Sequence, residues 1–173
     1  RATEKQGENN DRRNWVCILP DKKIKILHVI PALSCGGGVQ AWLLAVLRCF
    51  NRERFQFDFL PKNYDNFPPA DSLEGDLLSL GSRVYRCPVV RKPFPFGSQL
   101  RTVLRNSYDI LHEHNACKGS VLLEGKRVGI PVRVIHVHNP VTPSLMTGIL
   151  PGRLMRRLQI VLSKRYATHG MAC

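Results

Sequence analysis

The stretch KIKILHVI-PALSC-GGG-VQAWLLAVLRCF, residues 23–50, determines how the chain folds. Its opening run is rich in β-branched and aliphatic residues, which is typical of a strand buried on both faces. Its closing run places apolar side chains at the i, i+3, i+4, i+7 spacing of a helix with one buried face. The segment therefore predicts a strand near 24–30 and a helix near 38–50, joined by a turn with three consecutive glycines.

These glycines, Gly36, Gly37 and Gly38, stand where the predicted helix begins. The first N–H groups of a helix have no partner within it, and the helix dipole is positive there. Such a position attracts phosphate or carboxylate, and glycine lets a ligand come close to the backbone. A flexible turn is the simpler explanation, but one glycine would be enough for that. We therefore predict that the three glycines contact an anionic ligand.

The rest of the chain alternates strands and helices in the same way. Further strands are predicted near 55–60, 83–87, 108–115, 132–139 and 168–173, and helices near 72–80, 98–105, 118–128 and 153–166. This alternation predicts right-handed βαβ units, hence an α/β fold with a Rossmann-like parallel sheet and helices on both faces. Residues 1–21 show no hydrophobic periodicity and are predicted to form a disordered leader, so the predicted domain is 22–173.

Polar residues cluster where three of the predicted strands end. In parallel sheets of this kind, ligands bind beyond the carboxyl ends of the strands, which share one edge. We therefore expect three groups to meet there, namely the glycines, His112-Glu113-His114-Asn115 and His136-Val137-His138-Asn139.

The two H-x-H pairs each lie on one face of a strand, because side chains alternate along it. Four histidines could hold zinc, but no cysteine or aspartate completes a known ligand spacing, so we predict no metal. His114 and His138, nearest the strand ends, are predicted to be polar groups at the edge of the sheet, and His112 and His136 to pack between strand and helix. At the same edge, two asparagines could hydrogen-bond a polar ligand, Asn115 and Asn139.

A dinucleotide site is the competing interpretation of the glycines. Residues 36–41 formally match G-x-G-x-x-A, and Asp58 lies 20 residues beyond Gly38, where an acid could bind a ribose. However, the first glycine of a dinucleotide site follows its strand at once, and here PALSC intervenes. The spacing therefore argues against this alternative without removing it.

The chain is strongly basic, with 26 Lys and Arg against 13 Asp and Glu and a net charge of +13. This excess favours an anionic partner. A basic amphipathic helix is predicted around Arg153, Arg156, Arg157, Lys164 and Arg165. It could cover the sheet with a solvated charged face, or it could contact anionic lipid. Nucleic acid is not expected, because the basic residues are not interleaved with exposed aromatics and no nucleic-acid-binding signature occurs.

The cysteines and the hydropathy pattern set the expected environment. None of the six cysteines forms a C-x-x-C pair, and several stand in apolar runs. We expect them to be small buried side chains in a reducing cytosol. Residues 1–13 contain no apolar signal core, and no run of about 18 apolar residues occurs.

Five motifs in this order resemble a known family: KILHVI…GGGVQAWLL, FQFDFL, YDILHEHN, GIPVRVIHVHN and ATHGMAC. Over residues 24–173 the chain resembles the N-terminal half of a family 4 glycosyltransferase of the GT-B fold, as found in bacterial capsule and exopolysaccharide assembly. The resemblance implies two Rossmann-like domains across a cleft, the first holding the acceptor and the second the nucleotide sugar. That second domain is not among these 173 residues, so we expect them to be inactive alone.

The resemblance also implies roles for single residues. Gly37 and Gly38 match the loop near the donor diphosphate, with Gly36 as an extra glycine that leaves the exact pair open. His138 matches the histidine beside the transferred sugar. The implied reaction is sugar transfer with retention of anomeric configuration, from a nucleotide sugar and without a metal or cofactor.

The implied acceptor is a glycan or a lipid-linked phosphate at the inner membrane face. The protein would then be cytoplasmic and peripheral to that membrane. The alternative is a nonenzymatic or dinucleotide-binding Rossmann module.

Overall fold

A computed structural model describes residues 22–62, 72–86, 95–114, 118–138 and 150–172 of the chain. The strands are β1 (Ile24–Ile30), β2 (Phe55–Pro61), β3 (Arg83–Val84), β4 (Ile110–Glu113), β5 (Val132–Val137) and β6 (His169–Ala172). The helices are α1 (Gly38–Cys49), α2 (Glu74–Ser79), α3 (Pro95–Leu104), α4 (Gly119–Arg127) and α5 (Leu150–Tyr166).

The strands form one parallel sheet in the order β3-β2-β1-β4-β5-β6. The chain therefore builds outward from β1 to one edge, returns to the other side of β1, and builds outward again. The predicted α/β fold with a Rossmann-like parallel sheet is confirmed. The point where the order reverses lies between β1 and β4, which is where such sheets bind ligands.

Each face of the sheet has its own hydrophobic core. One core joins Ile26 and Ile30 of β1 and Phe57 and Phe59 of β2 to the buried leucines of α1 and α2. The other joins the alternate residues of the same strands to α3 and α4. Because β1 and β2 are buried on both sides, their sequences are nearly continuous apolar runs. The predicted helices on both faces are confirmed.

The element boundaries differ little from the predicted ones. Helix α2 begins at Glu74 instead of just after Ser72, because Ser72 forms a bridge with Ser34 and its hydroxyl accepts the Glu74 N–H. Gly81 and Gly129 end their helices with φ of +83° and +82°, a region that glycine enters without steric cost. The predicted leader, 1–21, lies outside the described residues.

The expected burial of the cysteines was wrong for the two that are described, and one of the two interpretations of helix α5 does not hold. Cys35 and Cys49 are exposed, because one lies in the turn before α1 and the other on the outer side of that helix's last turn. The other four cysteines lie outside the described residues. Helix α5 does not use its leucines to cover the sheet: Leu154 is 68% exposed and Val161 is 58% exposed. Instead α5 packs along α4, where Ser163 meets Gly119.

Among the described residues, no helix is both long and apolar enough to span a membrane.

Candidate functional site

Five histidines from three adjacent strands lie on one face of the sheet, toward its carboxyl edge. We call them the histidine ladder: His28 of β1, His112 and His114 at the end of β4, and His136 and His138 at the end of β5. His28 and His112 are register partners across β1 and β4, and alternation places the other three on the same face. The parallel register thus assembles side chains that are far apart in sequence.

A chain of ring-nitrogen contacts runs through the ladder from the core to the edge. His28 Nδ1 lies 2.9 Å from His114 Nε2, and His114 Nδ1 lies 3.1 Å from His138 Nε2. The rings also stack along each strand, with centroids 4.0 Å apart for His112 and His114 and 3.9 Å apart for His136 and His138. His28 itself stacks on Phe57 and Phe59. The ladder is therefore packed as part of the core.

Burial lowers the pKa of every histidine in the ladder. Desolvation is the main cause in each case, and neighbouring imidazoles add to it at His28, His112, His114 and His138. The pKa of His112 falls to about 4. All five rings are therefore neutral at pH 7.

A neutral imidazole carries one N–H and one lone pair, so the contact chain can run in either of two directions. In one, His28 donates to His114 and His114 donates to His138. In the other, His138 donates to His114 and His114 donates to His28. In both, neither the buried Nε2 atom of His28 nor the buried Nδ1 atom of His136 has a hydrogen-bond partner within the described part of the chain.

The glycine loop lies at the start of α1. Gly37 caps the helix in an extended conformation and Gly38 is its first residue. The Gln40 side chain folds back over Gly37 and donates to the Ala32 carbonyl, which holds the loop against the core. Beyond the adjoining residues and the helix's own backbone, no described atom lies within 4 Å of the position that a Cβ would take at Gly36 or Gly38. The backbone there has room for a ligand to approach.

A ring contact joins this helix to the histidine ladder. Trp42, one turn after Gly38, meets His136 edge-on with ring centroids 6.1 Å apart. His136 in turn stacks on His138. The glycine loop and both H-x-H pairs therefore meet at one edge, as predicted from the sequence.

The prediction of which histidines are packed and which lie at the edge of the sheet was only partly right. His112 and His136 are buried as expected, but His114 is just 2% exposed and is as much a core residue as they are. The reason is that His28 and His138 enclose it on two sides. Only His138 is half-buried. Asn115 and Asn139 lie outside the described residues.

Sequence reasoning missed two parts of this edge. His28 stands in the middle of an apolar strand, and only the register of β1 with β4 gives it a partner. Lys62 follows β2 and donates to Glu113 of β4 at 2.6 Å, with Glu113 fully buried. Burial lowers the pKa of Lys62, and the Glu113 carboxylate partly offsets this. Glu113 alternates with the ladder residues, so this pair lies on the opposite face of the sheet.

Asp58 does not have the position that a dinucleotide site requires. It is 2% exposed and lies inside β2. Its carboxylate accepts hydrogen bonds from the Tyr108 hydroxyl at 2.7 Å and from the Arg83 N–H at 3.0 Å. Asp58 is therefore a structural residue that ties β2 to β3 and β4.

The ladder also has the composition of a metal site. His114, His136 and His138 each offer a ring nitrogen, and the three nitrogens lie within 4.8 Å of one another. His28, His112 and His114 form a second such group deeper in the core.

No protein-family model matches the chain. In sequence it is 30% identical over 146 residues to "Putative glycosyltransferase EpsF" of Bacillus subtilis, covering 82% of this chain and 35% of that protein. The chain thus spans about a third of the curated relative that it matches.

Among solved structures, the fold is similar to Anabaena HepE in complex with UDP and glucose, with a TM-score of 0.53 and 16% identity. That match covers 85% of this chain and 37% of HepE. An O-GlcNAc transferase of Thermobaculum terrenum matches over 66% of this chain and 21% of its own, with a TM-score of 0.46 and 21% identity. The sequence match to EpsF relates the chain to the glycosyltransferases, and the match to HepE shows a shared Rossmann-like fold.

Proposed function

We propose that the protein is a glycosyltransferase that moves a sugar from a nucleotide-sugar donor to a glycan or lipid-linked acceptor, with retention of anomeric configuration. We further propose a role in cell-surface polysaccharide synthesis at the cytoplasmic face of the membrane. The description of EpsF as a putative glycosyltransferase supports the transfer reaction, and the UDP and glucose of the HepE complex support the donor class.

One observation carries the proposal: the Trp42–His136 contact holds the helix of the glycine loop against the histidine ladder. The unpaired N–H groups at the start of α1 suit a departing diphosphate, whose negative charge grows as the sugar–phosphate bond breaks. The ring of His138 lies 3.9 Å from that of His136 between centroids, and His138 is the half-buried end of the ladder at the same edge of the sheet. Both reaction partners of a sugar transfer can therefore be contacted at one edge.

The neutral state of His138 suits this role. Desolvation and the neighbouring His136 lower the pKa of His138, so the ring carries no charge at pH 7. A cation there would repel the positive charge that the sugar develops in the transition state. A neutral ring can instead hydrogen-bond a sugar hydroxyl or orient the acceptor hydroxyl. Its contact with His114 restricts the orientation of the ring.

The alternative is a nonenzymatic or dinucleotide-binding Rossmann module. Its dinucleotide form is disfavoured by Asp58, whose carboxylate is already bound by Tyr108 and Arg83 inside the sheet. The nonenzymatic form predicts that the wild-type protein turns over no nucleotide sugar.

The test is a transfer assay of the full-length protein against a panel of UDP-, GDP- and dTDP-sugars with lipid-phosphate acceptors, with the anomeric configuration of the product read by NMR. We expect one donor to be turned over with retention. Gly38→Val should abolish turnover, because its side chain fills the space beside the loop, whereas Gly75→Ala, on exposed helix α2, should not. Turnover with inversion would overturn the retaining mechanism. Equal turnover by wild type and Gly38→Val would overturn the site.

The outer side of α5 supports the proposed membrane contact. Leu154, Leu158 and Val161 recur at i, i+4, i+7 and are all exposed, so they form one apolar stripe. Arg153, Arg157 and Lys164 form a basic stripe beside it by the same periodicity, with Arg165 at its end. An apolar stripe bordered by basic residues is typical of helices that lie in a membrane interface. Arg156, which we grouped with them from the sequence, faces away from the apolar stripe.

Vesicle co-sedimentation tests this contact. Each Lys or Arg near an anionic surface contributes about 1 kcal/mol, so changing Arg153, Arg157 and Lys164 to Gln should weaken binding to phosphatidylglycerol vesicles strongly. A matched control changes three exposed basic residues elsewhere, namely Arg52, Arg105 and Lys126, and should change binding far less. Equal effects of the two triple variants would show attraction by net charge alone and would contradict a role for α5.

A further inference from the structure

We propose that the outer end of the histidine ladder is a binding site for a divalent first-row transition metal ion, with His114, His136 and His138 as its ligands. This departs from the prediction of no metal, which was made from two separate H-x-H pairs. The sequence did not show that His28 of β1 lies behind them. The proposal does not rest on the glycosyltransferase function. The proposed transfer belongs to the metal-free protein, because an ion on His138 would occupy its ring nitrogen and place positive charge beside the sugar.

The ligand set has the right chemistry. Imidazole nitrogens suit Zn²⁺, Ni²⁺, Co²⁺ and Cu²⁺, and three histidines with an open fourth position form a common arrangement for zinc. The three rings each bring a nitrogen within 4.8 Å of the others.

The distances at His114 favour this arrangement. Its Nδ1 atom lies 3.1 Å from His138 Nε2. Two nitrogens bound to one tetrahedral ion at about 2.0–2.1 Å lie roughly 3.3 Å apart, so little movement is needed for both to face one ion. His136 supplies the third ring of the group. Its buried Nδ1 atom has no hydrogen-bond partner among the described residues, and its burial costs free energy unless it gains one.

His28 supplies the support that metal-binding histidines usually have. When His114 Nδ1 binds the ion, its proton is on Nε2, which lies 2.9 Å from His28 Nδ1 and donates to it. Such a second contact fixes the tautomer and ring orientation of a ligand. His28 in turn is held between the rings of Phe57 and Phe59. The ligand at the centre of the site is thus positioned by the core of the sheet.

An ion from solvent can reach the outer group of histidines. His138 is half-buried while His114 and His136 are buried, so the open side of the site faces the edge of the sheet. The deeper group, His28 with His112 and His114, lies behind it. The outer group is therefore the one that an ion reaches first.

The test titrates Zn²⁺ and Co²⁺ into the full-length protein, stripped with a chelator, by calorimetry and visible absorption. We expect one ion per chain, a tetrahedral Co²⁺ spectrum, and a thermal midpoint raised by Zn²⁺. His138→Gln should weaken affinity by at least the 10–100-fold typical of losing a supporting contact. His136→Gln should do the same, and His169→Gln, which changes the one histidine outside the ladder, should leave affinity unchanged.

His138 is the decisive position because its ring is half-buried, so its replacement should leave the core intact even if His136→Gln fails to fold. No saturable binding by the wild type would overturn the proposal and leave the ladder as a hydrogen-bonded chain. Binding that survives His138→Gln but is lost in His169→Gln would overturn it as well, because the ion would then sit on the surface at β6.

Discussion

At the residue scale, the ladder histidines make stability depend on pH. In the unfolded chain they take up protons near pH 6.5, whereas burial lowers the pKa of each in the folded state, to about 4 for His112. Between these values the unfolded chain binds more protons, so the free energy of unfolding falls as the pH falls below about 6.5. It stops falling only when the folded-state pKa values are passed.

We therefore predict that the free energy of unfolding drops between pH 7.5 and pH 5 by up to about 1.4 kcal/mol per pH unit for each ladder histidine. Urea unfolding at several pH values, in the presence of a chelator, measures this. His112→Leu should remove about one proton from the uptake on unfolding. A stability that stays flat from pH 7.5 to pH 5 would contradict the burial of neutral imidazoles.

The sequence shows why some ladder residues could be predicted and others could not. Alternation within H-x-H is local, so the shared face of each pair was available from the sequence. His28 gains its partners only through the register between β1 and β4, which sequence periodicity does not contain. The same is true of Lys62, whose partner Glu113 is 51 residues away. Burial of His114 followed from these unseen neighbours.

At the element scale, the α4–α5 contact depends on a residue without a side chain. A Cβ at Gly119 would overlap the backbone nitrogen of Ser163 and the carbonyl oxygen of Gln159. Backbone atoms of a packed helix cannot move aside as the end of a flexible side chain can. Because Ser163 also hydrogen-bonds the Gln159 carbonyl, the two helices would have to separate.

We predict that Gly119→Ala destabilises the protein by about 1–3 kcal/mol, the usual cost of overpacking. The matched control is Gly152→Ala in α5, where no atom lies within 4 Å of the added Cβ. That change should be neutral or stabilise by up to about 1 kcal/mol, through helix propensity. Denaturant midpoints measure both, and equal midpoints for the two variants would contradict the close helix contact.

The elements themselves were largely predictable because the apolar periods of two and 3.6 are local signals. It was harder to predict which face of a helix is buried. The leucines of α1 face the sheet as its pattern indicates. Leu154 and Leu158 of α5 are exposed, because that helix packs on α4 through Gln159 and Ser163. The apolar pattern of a helix does not show which element packs on its apolar face, or whether any does. The exposure of Cys35 and Cys49 could not be predicted for the same reason, because apolar neighbours in sequence do not determine whether a side chain is buried.

At the scale of the whole molecule, the order β3-β2-β1-β4-β5-β6 brings the glycine loop and the ladder to one edge. This convergence followed from strand–helix alternation and the handedness of βαβ units, so it could be predicted. The chain spans about a third of the curated relative EpsF. Donor and acceptor therefore have to be found by assay.

The most direct test of the proposed site is the kcat of full-length His138→Ala, measured in a chelator with the thermal midpoint alongside. We predict that kcat falls by about 10²–10³, the usual effect of losing one preorganised transition-state contact, while the midpoint stays near that of the wild type because His138 is half-buried. His169→Ala should retain wild-type kcat. A near-normal kcat for His138→Ala, or a low kcat together with a collapsed midpoint, would contradict a role for His138 in sugar transfer.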